Sequence, residues 1–382
     1  MEASGIDVVL LRQNADLFYF TGTVQDAHLL IPSKGQAYYL VWRSYDRALQ
    51  ESPLAPLGLI QPLKGLSHFA EIVRSLHLDE AAVVGLEMDV LPAGLFLFYK
   101  ETLWPKAEIK DISPHVRKLR SIKDEQELKC IRGAAQRVHK VLEKVPEFFY
   151  TGMTELELAA MLECELRKMG HCGLLRMRIW NQEMGMDQVV SGKSALSPSW
   201  TNTPVGGVGP HPAFGMGASF KKIGMSEVVS VDIGGWYCGY CCDITRPFFV
   251  GQPSSKVVEV FDIVKELMGE LEKRLVPGAI TGEIYQYATD FMAKAGYEEN
   301  FMGMGQQRVS FVGHGLGIEL DEFPFVSRGN KMALESGMVV ALEPKVLLPE
   351  YGVVGLEDTY LITKDEGKRL TMGEQRLGRL EI

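Results

Sequence analysis

The sequence predicts an α/β region of about 120 residues followed by an α+β domain built from two similar halves. Three observations carry that prediction. Short apolar runs alternate with helical patterns at the front of the chain, a helix-pair pattern recurs at an interval of about 130 residues behind it, and two hairpins hold carboxylates inside apolar strands.

At the front, VVLL, DLFYFTG, HLLIP and AYYLVW read as strands and HFAEIVRSL as a helix. The basic, turn-rich stretch DISPHVRKLRSIKDEQE interrupts this pattern and sets the expected boundary, giving domains over 1–120 and 121–382. Beyond it Leu128, Ile131, Ala135, Val138, Leu142 and Val145 fall at helical spacing and predict a long amphipathic helix. That helix runs into EKVPEFFYTGMTELELAAMLECELRKMG, and later KVVEVFDIVKELMGELEKRL runs into VPGAITGEIYQYATDFMAKAG. Both copies read long helix, Val-Pro, Thr-Gly, second helix, closing glycine. Thr154 and Glu157 make a capping box with Gly170 as the left-handed stop, and Thr281 and Gly296 are expected to play the cap and the stop in the second copy.

Composition narrows the function. A chain of 382 residues with 46% apolar content can bury a sizeable core, and 40 basic against 49 acidic residues, a net charge of -9, argue against nucleic acid or an anionic membrane as partner. The opening MEASGIDVVLLRQ lacks a basic and apolar leader, and no run approaches the roughly 20 apolar residues of a spanning helix, so a cytoplasmic protein is expected. Six cysteines are too sparse for a disulfide framework, and Cys238, Cys241 and Cys242 lack the second ligand pair of a zinc knuckle.

The chemistry lies in the hairpins. In VVSVDIGGWYCGYCCDITRPFF, pairing about a turn near Tyr237 and Cys238 makes Asp232 and Asp243 cross-strand neighbours, and two anions that close demand a positive charge between them or a shared proton. In MVVALEPKVLLPEYGVVGLEDTYLIT, Glu343 and Glu357 stand symmetrically about Glu350. Between the hairpins FVGHGLGIELDE offers His314 between glycines, with Asp321 seven positions on. Four acids and an imidazole suit manganese, cobalt, iron or zinc, and five ligands suffice for two ions if two carboxylates bridge.

Asp232, Asp243 eleven residues on, His314 in GHGLG, Glu343 in LEP and Glu357 in LEDT resemble, in order and spacing, the five metal ligands of the pita-bread metallopeptidases: methionine aminopeptidase, aminopeptidase P, prolidase and their relatives. GIDVVLLRQNADLFYFTGT resembles the opening of the creatinase-type N-terminal domain of the prolidase branch. The resemblance implies a C-terminal pita-bread domain, a curved antiparallel sheet flanked by helices, behind an α/β creatinase-type domain. It implies two divalent ions, with Asp232 on the first, His314 and Glu343 on the second, and Asp243 and Glu357 bridging. A hydroxide between them would be the nucleophile and Glu343 the proton shuttle.

Three positions depart from the peptidase pattern. Asp321 stands where GHGLG should continue to a second histidine that bonds the scissile carbonyl. SGKSALSPSW offers Ser199 and Trp200 where another histidine is expected, and Gly355 replaces the arginine that lies two residues before the last bridging glutamate of prolidases. His211, in TPVGGVGPHPAFGMG, is the candidate replacement histidine. Asp321 would either donate a proton to the leaving group or pair with a cationic group of the substrate. The expected function is cleavage of an amide bond in a small peptide, Xaa-Pro by family default, or in a small non-peptide amide, by a homodimer of the kind common in this branch. The competing readings are a creatinase-like or lyase activity on a small polar metabolite, and a non-catalytic binding module of the same fold.

Overall fold

The computed structural model describes residues 4–381, which form two compact units. The first takes 4–120 together with the return segment Arg178–Asn181. Its strands β1 (Val8–Leu11), β2 (Ala27–Pro32), β3 (Tyr38–Val41), β4 (Ile60–Pro62), β5 (Val83–Leu86) and β6 (Glu108–Asp111) make one mixed sheet in the order β4-β3-β2-β1-β5-β6. Helices α1 (Asn14–Thr21), α2 (Tyr45–Glu51), α3 (Leu66–Ser75), α4 (Ala93–Phe98) and α5 (Ser113–Ser121) connect it, and both faces of the sheet carry a buried apolar cluster.

DLFYFTG, expected as a strand, lies in α1. A short apolar run has no periodicity to separate strand from helix, and local hydrogen bonds decide the matter. The Gln13 side chain accepts from the backbone N–H groups of Ala15 (2.6 Å) and Asp16 (3.0 Å), while Gly22, at φ 73°, closes the helix by donating to the Phe18 carbonyl. The helical turn also places the buried Asp16 against two guanidinium groups, Arg120 at 2.6 Å and Arg178 at 2.7 Å. Arg178 in turn holds Asp89 at 2.6 Å, so the return segment is fastened to this unit by paired charges.

In the second unit α6 (Glu125–Leu142) starts from an Asp124–Glu127 capping box and stops at Leu142, so that Val145 begins a separate short helix, α7 (Val145–Phe148). The Thr154–Glu157 box opens α8 (Glu155–Lys168). Then follow β7 (Asp187–Ser191), β8 (Val228–Tyr237), β9 (Tyr240–Val250), α9 (Ser255–Glu272), α10 (Thr281–Lys294), β10 (Phe311–Gly315), β11 (Glu322–Ser327), β12 (Val339–Leu342), β13 (Lys345–Leu348), β14 (Gly352–Gly355), β15 (Asp358–Ile362), β16 (Gly367–Arg369) and β17 (Gly378–Leu380). They pair as sheets β17-β9-β8-β7 and β11-β10-β12-β15-β16 with a ribbon β13-β14, antiparallel throughout except where β17 joins β9.

Each half sets a helix pair on strands: α6 lies on β8 and β9 with α8 on β7, and α9 lies on β13 and β14 with α10 on β10 and β11. Thr281 is the first residue of α10 rather than its cap. The helix opens instead on chain carbonyls, with Thr281 donating to Met332 and Gly282 to Asn330, each at 3.0 Å. No helix of the described residues is long and apolar enough to cross a membrane.

His28 on β2 is fully buried, stacked on Phe69 with ring centroids 4.1 Å apart, and its Nε2 meets Arg12 Nη1 at 2.9 Å and the Tyr99 hydroxyl at 2.8 Å. Burial, helped by the Arg12 charge, holds the imidazole neutral down to about pH 2, against an ordinary value of 6.5. Below pH 6.5 the unfolded chain therefore takes up a proton that the fold refuses, and stability falls on acidification by up to about 1.4 kcal/mol per pH unit. Melting temperatures measured from pH 7 to 4.5 should drop more steeply for wild type than for His28→Gln; parallel curves would contradict this account.

Candidate metal centre

The β8–β9 hairpin turns on two residues, Cys238 at φ 49° and Gly239 at φ 89°, the left-handed pair that suits the twist of antiparallel strands. The turn therefore centres later than near Tyr237 and Cys238, and the register shifts with it. Asp232 pairs with Thr245, and Asp243 with Gly234. The two aspartates are diagonal neighbours on one face rather than direct partners, which leaves room for a group between them. In the second hairpin Leu342 pairs with Asp358 and Lys345 with Gly355, so Glu343 and Glu357 face each other at the step between the two ladders.

His314 lies on β10, between β11 and β12. Its Nδ1 donates to the carbonyls of Leu320 (3.0 Å) and Gly315 (3.1 Å), which fixes the ring and aims Nε2 at the acids. Nε2 stands 3.8 Å from Asp243 Oδ2 and 3.7 Å from both Glu343 Oε1 and Glu357 Oε1. These separations are too long for hydrogen bonds and match those of atoms that share an ion at about 2.1 Å. Glu357 Oε1 is buried without a hydrogen-bond partner, whereas Oε2 accepts from Thr245 Oγ1 at 2.8 Å.

Lys345, which is not among the expected site residues, brings a positive charge into hydrogen-bond contact with three of the four acids, Asp243 excepted. Lys345 is 2% exposed, and its Nζ donates to Glu343 Oε2 (2.8 Å), Asp232 Oδ2 (3.0 Å) and Glu357 Oε2 (3.1 Å). The signal was present in LEPK: a lysine two residues after Glu343 lies on the same strand face, inside an apolar run.

Burial pushes every acid of the cluster upward, and the neighbouring charges sort them. Asp243 is raised well above the carboxylate range by burial and by Glu357 and Asp232, and Glu343 is raised to about 7 although Lys345 and His314 oppose the rise. For Glu357 burial is outweighed by Lys345 and His314, which hold it at about 2.

The remaining expected residues are dispersed. Asp321 lines the cleft over the cluster, with Oδ1 3.5 Å from His314 Nδ1. His211 is not brought to the cluster: it is exposed on a turn where its Nδ1 accepts from Ala213 N, and it does not line the cleft. Trp200 is also exposed, and Ser199 bonds the Thr201 hydroxyl at 2.6 Å. Gly355 lies opposite Lys345, where a Cβ would come within 2.5 Å of Lys345 Cγ, so no side chain fits there.

The cleft has an apolar wall of Leu175, Met177, Met184, Met186, Phe311 and Leu320, and Thr201, Asn202 and Thr203 are among its polar lining residues. The next rim residues along a turn from a serine and a tryptophan carry no sequence signal of their own. Asp187 also reaches the cleft, with a buried oxygen lacking a hydrogen-bond partner.

The donor set fits one divalent ion: Asp243, His314 and Glu357 each bring a ligand atom within 4.8 Å of the others, Glu343 Oε1 stands beside them at 3.7 Å from His314 Nε2, and Glu357 Oε1 is buried with no hydrogen bond. The oxygens on the other side of the glutamates are engaged by Lys345.

Comparison with known proteins shows the family and the fold. Residues 129–364 match the model of metallopeptidase family M24, and residues 1–122 match the creatinase/prolidase N-terminal domain. Among curated relatives, an Xaa-Pro dipeptidase of Pyrococcus horikoshii is 29% identical over 99% of this chain and 96% of its own length. Among solved structures, the prolidase from the same organism has a TM-score of 0.82 at 29% identity, covering 99% of this chain and 97% of its own. An X-Pro aminopeptidase from Thermotoga maritima has a TM-score of 0.80 at 26% identity, covering 99% and 98%. The family match covers the two acid-bearing hairpins and His314, and with it this chain belongs to metallopeptidase family M24, as a hydrolase of the pita-bread fold with a creatinase-type N-terminal domain.

Proposed function

We propose that this chain hydrolyses the amide bond of a small Xaa-Pro peptide with a divalent ion held by Asp243, His314, Glu343 and Glu357. The observation that carries the reading is the gathering of three carboxylate oxygens about His314 Nε2, with the buried Glu357 Oε1 in want of a cation. When bound, such an ion polarises a carbonyl and makes water acidic enough to attack near neutral pH.

The chain's own residues do the rest. The apolar wall from Leu175 to Met186 suits a pyrrolidine ring, and the side-chain amide of Asn202 is the donor at the cleft for a substrate carbonyl, the Thr203 hydroxyl being spent on the Val205 carbonyl. Glu343, in contact with the cleft, is the group to take a proton from the attacking water and pass it to the leaving nitrogen. The Nδ1 bonds of His314 keep its Nε2 directed at the acids. Asp321, an acceptor at the cleft wall, is placed to receive a cationic group such as a substrate amine. Two ions, as the family resemblance implies, would require Lys345 to withdraw from Glu343 and Glu357.

A second reading, hydrolysis of a small polar non-peptide amide, is favoured by one observation: the Lys345 stem leaves no room for a side chain at Gly355, the position at which the family resemblance leads one to expect an arginine.

The purified protein should cleave Xaa-Pro dipeptides or short Xaa-Pro peptides in the presence of manganese or cobalt and lose that activity to a chelator. Asp243→Ala and Glu357→Ala should each lower kcat/KM by about a hundredfold or more. Cleavage that survives chelation, or no cleavage across the panel, would refute the peptidase reading; turnover of small cationic amides alone would favour the second. Asp321→Asn and Asp321→His should both weaken turnover of substrates bearing a free amine, chiefly through KM. If neither variant differs from wild type on any substrate, Asp321 plays no part in recognition.

A further inference from the structure

Glu343 and Glu357 divide their oxygens. Oε2 of each accepts from the Lys345 ammonium, at 2.8 and 3.1 Å, while Oε1 of each faces His314 Nε2 at 3.7 Å. The two carboxylates thus form a wall with a cation position on either side. One side is bounded by Asp232, Glu343 and Glu357 and holds the ammonium. The other is bounded by Asp243 Oδ2, His314 Nε2 and the two Oε1 atoms.

The lysine is built into its side. Its side chain is 2% exposed, and it passes over Gly355, where any Cβ would collide with it. An ammonium has three N–H donors and no acceptor, and here three carboxylates take all three. Nothing is left over to bond a substrate, which makes Lys345 a positioning residue rather than a catalytic one. A divalent ion on the same side would need the very oxygens that the ammonium engages, and would meet a like charge.

We infer that Lys345 is a covalently attached substitute for one of two metal ions, so that this chain binds a single divalent ion, at Asp243, His314, Glu343 and Glu357. The inference rests on the metal-dependent reading above and narrows it from two ions to one. The fixed ammonium holds Asp232 and one oxygen of each glutamate in place, which leaves the second oxygens aligned for the ion that does bind.

Stoichiometry tests this independently of turnover. Metal-free protein should be titrated with manganese, the bound metal counted by elemental analysis after dialysis, and the loaded sample examined by electron paramagnetic resonance. Wild type should hold one ion per chain with an uncoupled manganese spectrum, and Lys345→Gly should hold two with the spectrum of a spin-coupled pair. Two ions in wild type, none in wild type, or only one in a folded Lys345→Gly protein would each overturn the inference. Should Lys345→Gly fail to fold, wild-type stoichiometry and spectrum decide the matter alone. One bound ion without hydrolysis of any Xaa-Pro peptide would refute the proposed activity and leave the lysine's role standing, whereas peptide hydrolysis with two bound ions would do the reverse.

Discussion

Carboxylates gathered in a buried volume repel one another strongly, because little water is present to screen them. Asp232, Asp243, Glu343 and Glu357 are gathered in this way, and the architecture around them is an answer to that repulsion. Two hairpins from different sheets deliver the acids, a strand between β11 and β12 delivers the imidazole, and the ribbon β13-β14 delivers the ammonium. Backbone ladders fix Asp232, Asp243, His314 and Lys345, and single backbone bonds from Glu343 to the Val312 carbonyl and from Glu357 to the Thr245 carbonyl fix the two glutamates at the step between ladders. Without them the long side chains of Glu343, Glu357 and Lys345 would have to be ordered at a large cost in rotamer entropy.

A counter-ion supplied by the chain differs in kind from one taken from solution. The ammonium is present whenever the strands pair, whatever the metal supply, so part of the cluster's repulsion is relieved as soon as the fold forms. A solution ion then has fewer charges left to neutralise. Its binding adds to stability only through the sites that prefer the folded chain.

Much of this arrangement is legible in the amino-acid order. Charges inside apolar strands are costly enough to mark Asp232, Asp243, Glu343 and Glu357, the glycines about His314 mark a close approach of backbone, and the Thr154–Glu157 capping box fixes a helix start. Other features depend on contacts that order alone does not carry. The shift of Asp232 and Asp243 to diagonal positions follows from a turn one step later than symmetry suggests. DLFYFTG becomes helical through the Gln13 cap and the charges that meet Asp16. Thr281 loses its capping role because carbonyls of Asn330 and Met332 already serve the helix. His211 has the right chemistry, but it lies on an exposed turn that does not reach the cleft. Lys345 was readable by its period along the strand, yet a lysine is ordinarily a surface residue, and only its three carboxylate partners reveal otherwise.

The close fit of Lys345 over Gly355 also makes the two positions one unit. A Cβ at position 355 would sit 2.5 Å from the lysine Cγ, so the stem as it now runs depends on the opposite strand carrying no side chain there. The glycine is thus part of the cation site without touching a carboxylate: it works as the empty volume through which the ammonium reaches three acids.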